Sequence, residues 1–522
     1  MVWNKSLLVV SVLLASISCK QKDQKAVPLD QEYESEYYTE AYRPQFHFTP
    51  EANWMNDPNG MVYHKGVYHL FYQYYPEDII WGPMHWGHAI STDLVSWNHK
   101  PIALYPDDLG YIFSGSAVLD GDNTSGFGTM ENPPLVAIYT YHDIEGEKAG
   151  QNDFQTQGIA YSLDNGDSWT KYDGNPVIGN DGVRDFRDPK VIWHRPSKSW
   201  ILTLVAGDHA EFYRSTNLKN WAKVGSFGKE KGAHGGVWEC PDLFPLNVNE
   251  DGEEKWVLLI SINPGAPNGG SGTQYFVGDF DGNTFTTDQS DTKWIDWGTD
   301  NYAGVTFSNA PDDERIFIGW MSNWAYARDT PTERWRSAMT VPRKLTLRKM
   351  GADIELFNYP VDNLNAIVVE GDKSQIQIAA GTKENIDFED LSQAEIKFVT
   401  TTKDFTLDIR NDLDEALTLT MNGSKQLFQL DRAGSGKTDF SATFANSVHQ
   451  MPIPILPDGE YEVRILIDWS SIEIFINGGQ YVMTDLVFPN ADFNQLMIEN
   501  TSNDPMELKD FRVARINGTW HK

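Results

Sequence analysis

The sequence predicts an all-β protein, a β-propeller followed by a β-sandwich, and three observations carry that reading. Aromatic residues make up 13% of the 522 positions, with 18 Trp, while Gly and Pro are spread along the whole length; this mixture favours many short strands and turns over helices. Sustained 3.6-residue apolar periodicity is scarce. In its place stand short aromatic and β-branched runs bounded by turn residues, VYHLFYQYY, PLVAIYTYH, WILTLVAGD, WVLLISIN and RIFIGWMSNW. A weak internal repeat is the third observation: STDLVSW ending at Trp97, SLDNGDSW at Trp169 and STNLKNW at Trp221 share a Ser, a polar turn and a closing Trp.

Each copy of the repeat follows a short strand and reads as one hairpin turn reused. Recurrence every 50 to 70 residues suggests radial repetition, each blade burying its face against the next. Roughly 300 residues at about 60 per blade gives five blades. A single, unusually large two-sheet sandwich is the competing fold. From about Asp353 the texture changes: FTLDIRN, LTLTMNG and YEVRILIDWSSIEIFING alternate apolar and polar residues, as half-buried antiparallel strands do. This predicts a propeller over residues 43–350 and a sandwich over 351–522.

The N-terminus reads differently. Lys5, an apolar run over residues 7–17 and small residues ahead of Cys19 make a segment too short to span a bilayer, with the order of a signal peptide. LLASISC is similar to a bacterial lipoprotein signal, cleaved after residue 18 to leave a lipidated Cys19, although Ile17-Ser18 is a loose version of the usual small pair. An ordinary secretory signal is the alternative. Residues 19–42 are polar and aperiodic, a tether. The protein is thus expected to be exported, lipid-anchored at the cell surface or in the periplasm, and secreted if Cys19 is not lipidated.

Acidic residues outnumber basic ones by 74 to 42, a formal charge of −32. Such a chain is repelled by nucleic acid and anionic membranes. A neutral, hydroxyl-rich ligand suits it better, with Trp and Tyr to face sugar rings.

Three carboxylates stand in unusual company: Asp57 in WMNDPNG, Asp188 in FRDPK and Glu239 in GGVWECPDLF. WMNDPNG reads locally as a tight turn, since Pro58 fixes φ and Asn59-Gly60 tolerates positive φ. Both Asp-Pro steps push the Asp out of the helical region towards an extended pose. Asp-Pro is equally a common structural turn pair, so neither step alone identifies a site. Arg187 could hold a neighbouring carboxylate ionised, and Trp238 suggests an apolar wall that would keep Glu239 protonated. One ionised and one protonated carboxylate are what retaining glycoside hydrolysis requires. A cysteine nucleophile at Cys240 lacks convincing His and Asn/Asp partners. His85, His88 and His234 lack ligand-like clustering, and the structural reading of them is preferred.

WMNDPNG, FYQYYP, WGPMHWGHAISTDLVSW, IFSGSAV, FRDPK, WECPDLF, GGSGTQYFVGDFDG and GWMSNW resemble, in order, the motifs of glycoside hydrolase family 32, the invertases, inulinases and levanases. The resemblance runs from about Tyr42 to the C-terminus and implies a five-bladed propeller followed by a sandwich. It implies Asp57 as nucleophile, Glu239 as acid/base and Asp188 as transition-state stabiliser, with Cys240 tuning Glu239. It further implies a fructose subsite of Asn56, Gln73, Trp81, Phe113, Ser114, Arg187 and Trp320, joined by Tyr302, and no metal or cofactor. SIEIFING matches a family motif without a catalytic role.

The expectation is an exo-acting fructanase on levan or inulin, chosen because the segment from WGPMHW to SGSAVLD is similar to bacterial levanases. An endo-levanase, an invertase and a fructosyltransferase are alternatives on the same carboxylates. A non-catalytic fructan-binding lipoprotein is the alternative of a different class, and oligomeric state is left open.

Overall fold

The computed structural model describes Met1 and residues 37–520, apart from Asp251, Asp372, Pro457 and Asp458. The signal segment, Cys19 and the tether up to residue 36 lie outside the described residues. Tyr37–Tyr42, assigned to the tether for their polarity, belong instead to the folded body. There Tyr38 is buried, its ring 4.3 Å from Trp520 and under the Arg43 guanidinium.

Nearly all regular structure is strand, and the short alternating runs of the sequence each become one. Five antiparallel sheets of four or five strands follow one another along the chain. Their first strands are β1 (Asn53–His64), β2 (Tyr111–Leu119), β3 (Phe186–His194), β4 (Val237–Asn247) and β5 (Tyr302–Thr306). These first strands form a closed ring: each packs on the next, and β5 returns to β1. A late segment closes the ring further, since Trp335–Arg336 pairs in parallel with Asn53 and Trp54. The sheets stack through separate apolar layers, such as Ile138, Val191 and Leu202 between the second and third.

The repeat seen in the sequence occupies one place in three sheets, the turn after the third strand. Ser91 Oγ and Asp93 Oδ1 accept the N–H groups of Asp93 to Ser96. Ser162 with Asp164, and Ser215 with Asn217, repeat the device. The fourth sheet uses Asp281 alone, which accepts from Asn283 and Thr284 after the strand Gly272–Phe280. Short polar side chains here substitute for backbone acceptors in a tight turn. The fourth copy escapes the sequence pattern because it lacks the Ser and the closing Trp.

The strands Arg343–Met350 and Asp353–Pro360 pair along their full length. A boundary at 350/351 would therefore cut a hairpin turn, and the first body extends to about residue 360. Gly351, at φ +65°, makes that turn; its change of texture was a turn signal rather than a domain junction. Beyond it, two six-stranded sheets enclose one apolar core that includes Leu407, Leu419, Ile465 and Ile474. DFTLDIR and ALTLTMN alternate buried and half-buried residues, as their pattern requires.

The seam between the ring and the two-sheet body is polar and buried. Arg343 donates to Asp296 at 3.0 Å and to Glu473 at 3.1 Å, and His47 bridges Asp468 and Glu473. Arg432 donates to Asp300 at 2.8 Å.

Candidate active site

All five first strands carry the same irregularity. In β1 Asn56 and Asp57 oppose the single residue Gln73; in β2 Phe113 and Ser114 oppose Thr140. In β3 Asp188 and Pro189 oppose Leu204, in β4 Cys240 and Pro241 oppose Ile260, and in β5 Ala303 and Gly304 oppose Gly319. Two residues against one is a β-bulge, which bends the strand and re-aims its side chains. Pro58, Pro189 and Pro241 favour these breaks because they have no ladder donor. Gly115 and Gly304 allow them through close approach: a Cβ would lie 2.1 Å from Ile138 O and from the Phe317 ring, respectively.

WMNDPNG is therefore a bulged strand and not a tight turn. Gly60 does take φ +58°, and a Cβ there would sit 2.5 Å from Trp86. Asp188 is not extended either. Its φ is +63°, and Cys240, also before a proline, is at +45°; the bulges override the local proline preference, at a cost of order 1–3 kcal/mol each.

The bulges bring the three carboxylates together. Asp57 accepts from Asn56 Nδ2 at 2.9 Å and from Ser114 Oγ at 2.7 Å. Trp54 Nε1 in turn donates to Asn56 Oδ1 at 2.8 Å, which explains the tryptophan ahead of the motif. Asp188 Oδ2 accepts the Cys240 N–H at 2.9 Å, and the Asp188 N–H donates to Thr140 Oγ1. Glu239 accepts from Arg187 Nη2 at 3.0 Å and from the Tyr302 hydroxyl. Arg187 also donates to Asp185 at 2.6 Å, so the carboxylates it holds are Asp185 and Glu239; its Nε is 3.9 Å from Asp188.

Burial, with the nearby charge of Glu239, pushes Asp57 above the usual carboxylate range against three donors that favour its charge. Burial, offset by Arg187 and reinforced by the other two carboxylates, pushes Asp188 up to about 7. For both aspartates, burial and the charge of neighbouring carboxylates act in the same direction, against ionisation.

Two sequence expectations are corrected here. Trp238 does not wall Glu239, because successive side chains of a strand face opposite ways. Its ring lies in the apolar layer with Phe276 and Ile262, its Nε1 on Ala233 O. The Cys240 thiol lies towards Asp57 and Asp188, 3.5 and 3.6 Å from their Oδ2 atoms, rather than towards Glu239. Burial and these aspartates push the thiol well above its usual range, the opposite of an activated nucleophile.

A pocket of about 410 Å³ opens over these groups. Asn56, Gln73, Trp81, Phe113, Ser114 and Arg187 line it with the three carboxylates. Tyr302 and Trp320 lie beneath, fully buried, and Trp320 packs on Trp54, Trp324 and Tyr302. Gln73 Nε2 and Trp320 Nε1 are buried without a hydrogen-bond partner among the described residues. His142, Glu147, Gln155, Trp324 and Arg328 also line the pocket, and sequence reasoning missed them. Trp324 lay inside the quoted GWMSNW; the others carry no local signal. His85 and His88 are structural, bonded to Pro83 O and to His69, and His234 stacks on Trp238.

A larger cavity, about 810 Å³, lies at the far ends of the same strands. Its one fully buried carboxylate, Asp242, is paired with Lys190 at 3.2 Å. None of the three clustered carboxylates reaches it, so the chemistry belongs to the smaller pocket.

Clustered buried carboxylates in a pocket at one end of a ring of strands are the equipment of a glycoside hydrolase. The chain matches the model of the glycosyl hydrolases family 32 N-terminal domain over residues 47–360 and that of the glycosyl hydrolases family 32 C terminal over 363–515. It belongs to glycoside hydrolase family 32, whose architecture is a β-propeller joined to a β-sandwich. A levanase of Bacillus subtilis (strain 168) is 44% identical over 498 residues, 93% of this chain and 72% of that protein. The crystal structure of an exo-inulinase from Aspergillus awamori superposes with a TM-score of 0.84 at 37% identity, covering 92% of this chain and all of that one. A β-fructofuranosidase from Schwanniomyces occidentalis, complexed with fructosyl-erythritol, gives 0.82 at 32% identity, covering 92% and 99%.

Proposed function

We propose that the protein is an exo-acting fructan β-fructosidase working with net retention. Asp57 attacks the anomeric carbon of a terminal β-D-fructofuranosyl unit while Glu239 protonates the leaving oxygen. Water deprotonated by Glu239 then releases fructose from the fructosyl-enzyme. Asp188 binds fructose hydroxyls and stabilises the transition state. Asn56, Gln73, Trp81, Phe113, Ser114, Arg187, Tyr302 and Trp320 form the fructose subsite. The observation that carries the reading is the convergence of Asp57, Asp188 and Glu239 from three bulged strands into one pocket.

Five ring-forming sheets, each with a bulged inner strand, support five propeller blades. Fructan as substrate is supported by the levanase and exo-inulinase relatives. The N-terminal sequence supports export and lipid anchoring at Cys19.

The test is the product profile on levan, inulin and sucrose. Fructose as the sole early product from levan or inulin is expected. A ladder of oligosaccharides would make the enzyme endo-acting, and turnover confined to sucrose would make it an invertase.

A further inference from the structure

SIEIFING and its neighbouring strand belong to the sandwich, yet they grip the segment that leads into the catalytic pocket. The segment in question is residues 296–301, directly ahead of Tyr302. Thr484 N and Oγ1 donate to Asp296 at 2.9 and 2.6 Å, and the Trp297 and Asp300 N–H groups donate to Val482 O and Thr484 O. Gly298 passes so close that a Cβ would sit 2.0 Å from Thr484 O. Arg343 ties Asp296 to Glu473 of SIEIFING.

Arg432 completes the grip. It is fully buried, its guanidinium 3.7 Å from the centre of the Phe444 ring. Nη1 donates to Asp300 Oδ2 at 2.8 Å and to Leu486 O, Nη2 to the Tyr326 hydroxyl at 3.0 Å, and Nε to Phe444 O. Asp300 also accepts from the Leu486 N–H and from Tyr326. Two residues past Asp300, Tyr302 donates to Glu239. Tyr326 lies in the loop whose Trp324 and Arg328 line the pocket, and Asn323 of that loop donates to Thr299 O at 2.8 Å. Every strong donor of Arg432 is used within the seam, and the seam ends at the acid/base group.

We propose that Arg432 of the sandwich is a positioning residue for the acid/base step, holding Asp300 and Tyr326 so that Tyr302 meets Glu239 in register. The inference rests on Glu239 as the acid/base. A buried, fully satisfied polar network sets a single geometry, and small misplacement of a catalytic partner costs as much as about 10²-fold in rate.

The test is a double-mutant cycle on kcat and KM for inulin, measured well below the melting temperature. Tyr302→Phe, Arg432→Met and the double variant are compared with Arg464→Met. Arg464 is paired with Glu395 at 2.8 Å, donates to Asn365 and lies over the Tyr359 ring; among the described residues its bonds go to none of 296–301, so it is the stability control. Expected is a roughly tenfold fall in kcat for Arg432→Met with KM within threefold, and a double variant no slower than Tyr302→Phe. Arg464→Met should lower the melting temperature and leave kcat unchanged. Additive losses, or a folded Arg432→Met with wild-type kcat, would overturn the proposal. If Arg432→Met does not fold, Arg432→Lys, which keeps the buried charge but loses the fork, is judged by the same criteria. Glu239→Gln separates the two readings: full activity in that variant would sink the acid/base assignment itself.

Discussion

The backbone N–H of Cys240 donates to Asp188 Oδ2 at 2.9 Å, and both residues hold a positive φ directly before a proline. Two strained bulges from adjacent sheets thus brace each other. The strain of β4 aims a donor at the carboxylate that the strain of β3 presents. Backbone conformations this costly persist only where the surroundings over-determine them, and the carboxylates sit where they do for that reason.

Asp188 links the site to stability. Burial pushes its folded-state value up to about 7 from 3.8. A raised carboxyl contributes stability that is full below about pH 4 and lost as pH rises through 7. Asp188→Asn removes the charge and should melt above the wild type at pH 8, by roughly 1–2 °C for each kcal/mol relieved. The gap should close towards pH 4. Melting scans across that range check the sign, and a gap that widened in acid would refute it.

The proposed nucleophile and the proposed acid/base should fail in different ways. Asp57→Asn should lose at least about 10³-fold in kcat on every substrate, since no nucleophile remains. Glu239→Gln should lose about 10²–10⁴-fold on fructan. In kcat/KM it should lose far less on an aryl fructoside whose leaving group needs no proton, because that ratio stops at the fructosyl-enzyme, whereas deglycosylation still needs Glu239 as base. Values of kcat/KM on the two substrate types make the comparison, and equal losses would overturn Glu239 as the acid.

Gly115 is required by approach and not by φ. A methyl group there meets Ile138 O at 2.1 Å, backbone that cannot step aside. Gly115→Ala should cost about 1–3 kcal/mol and displace Ser114 from Asp57, lowering kcat. Gly121→Ala, with no atom within 4 Å of its Cβ, is the control and should be neutral. Denaturant midpoints and kcat together decide.

Arg343 is buried between Asp296 and Glu473. Arg343→Met leaves Asp296 without its cation while Glu473 keeps His47, a loss of about 3–5 kcal/mol for a broken buried pair. The seam should then open before the sandwich core melts. Limited proteolysis near residue 296 would reveal it, and wild-type resistance would argue against this account.

Alternating apolar runs, a recurring Ser-turn-Trp, two Asp-Pro steps and the Glu of WECPDLF were legible in the chain, because strands, turns and proline breaks are local properties. These determined an all-β protein of two parts and named Asp57, Asp188 and Glu239. Sequence alone misjudged what each neighbour does. Trp238 and Glu239 are adjacent yet face opposite layers, and the Cys240 thiol turns to the aspartates. Nor could it see that five bulges share one register, or that Gly351 closes a hairpin inside the propeller. Those features depend on which strand lies opposite which residue, and only the closed ring of sheets and its polar seam with the sandwich decide that.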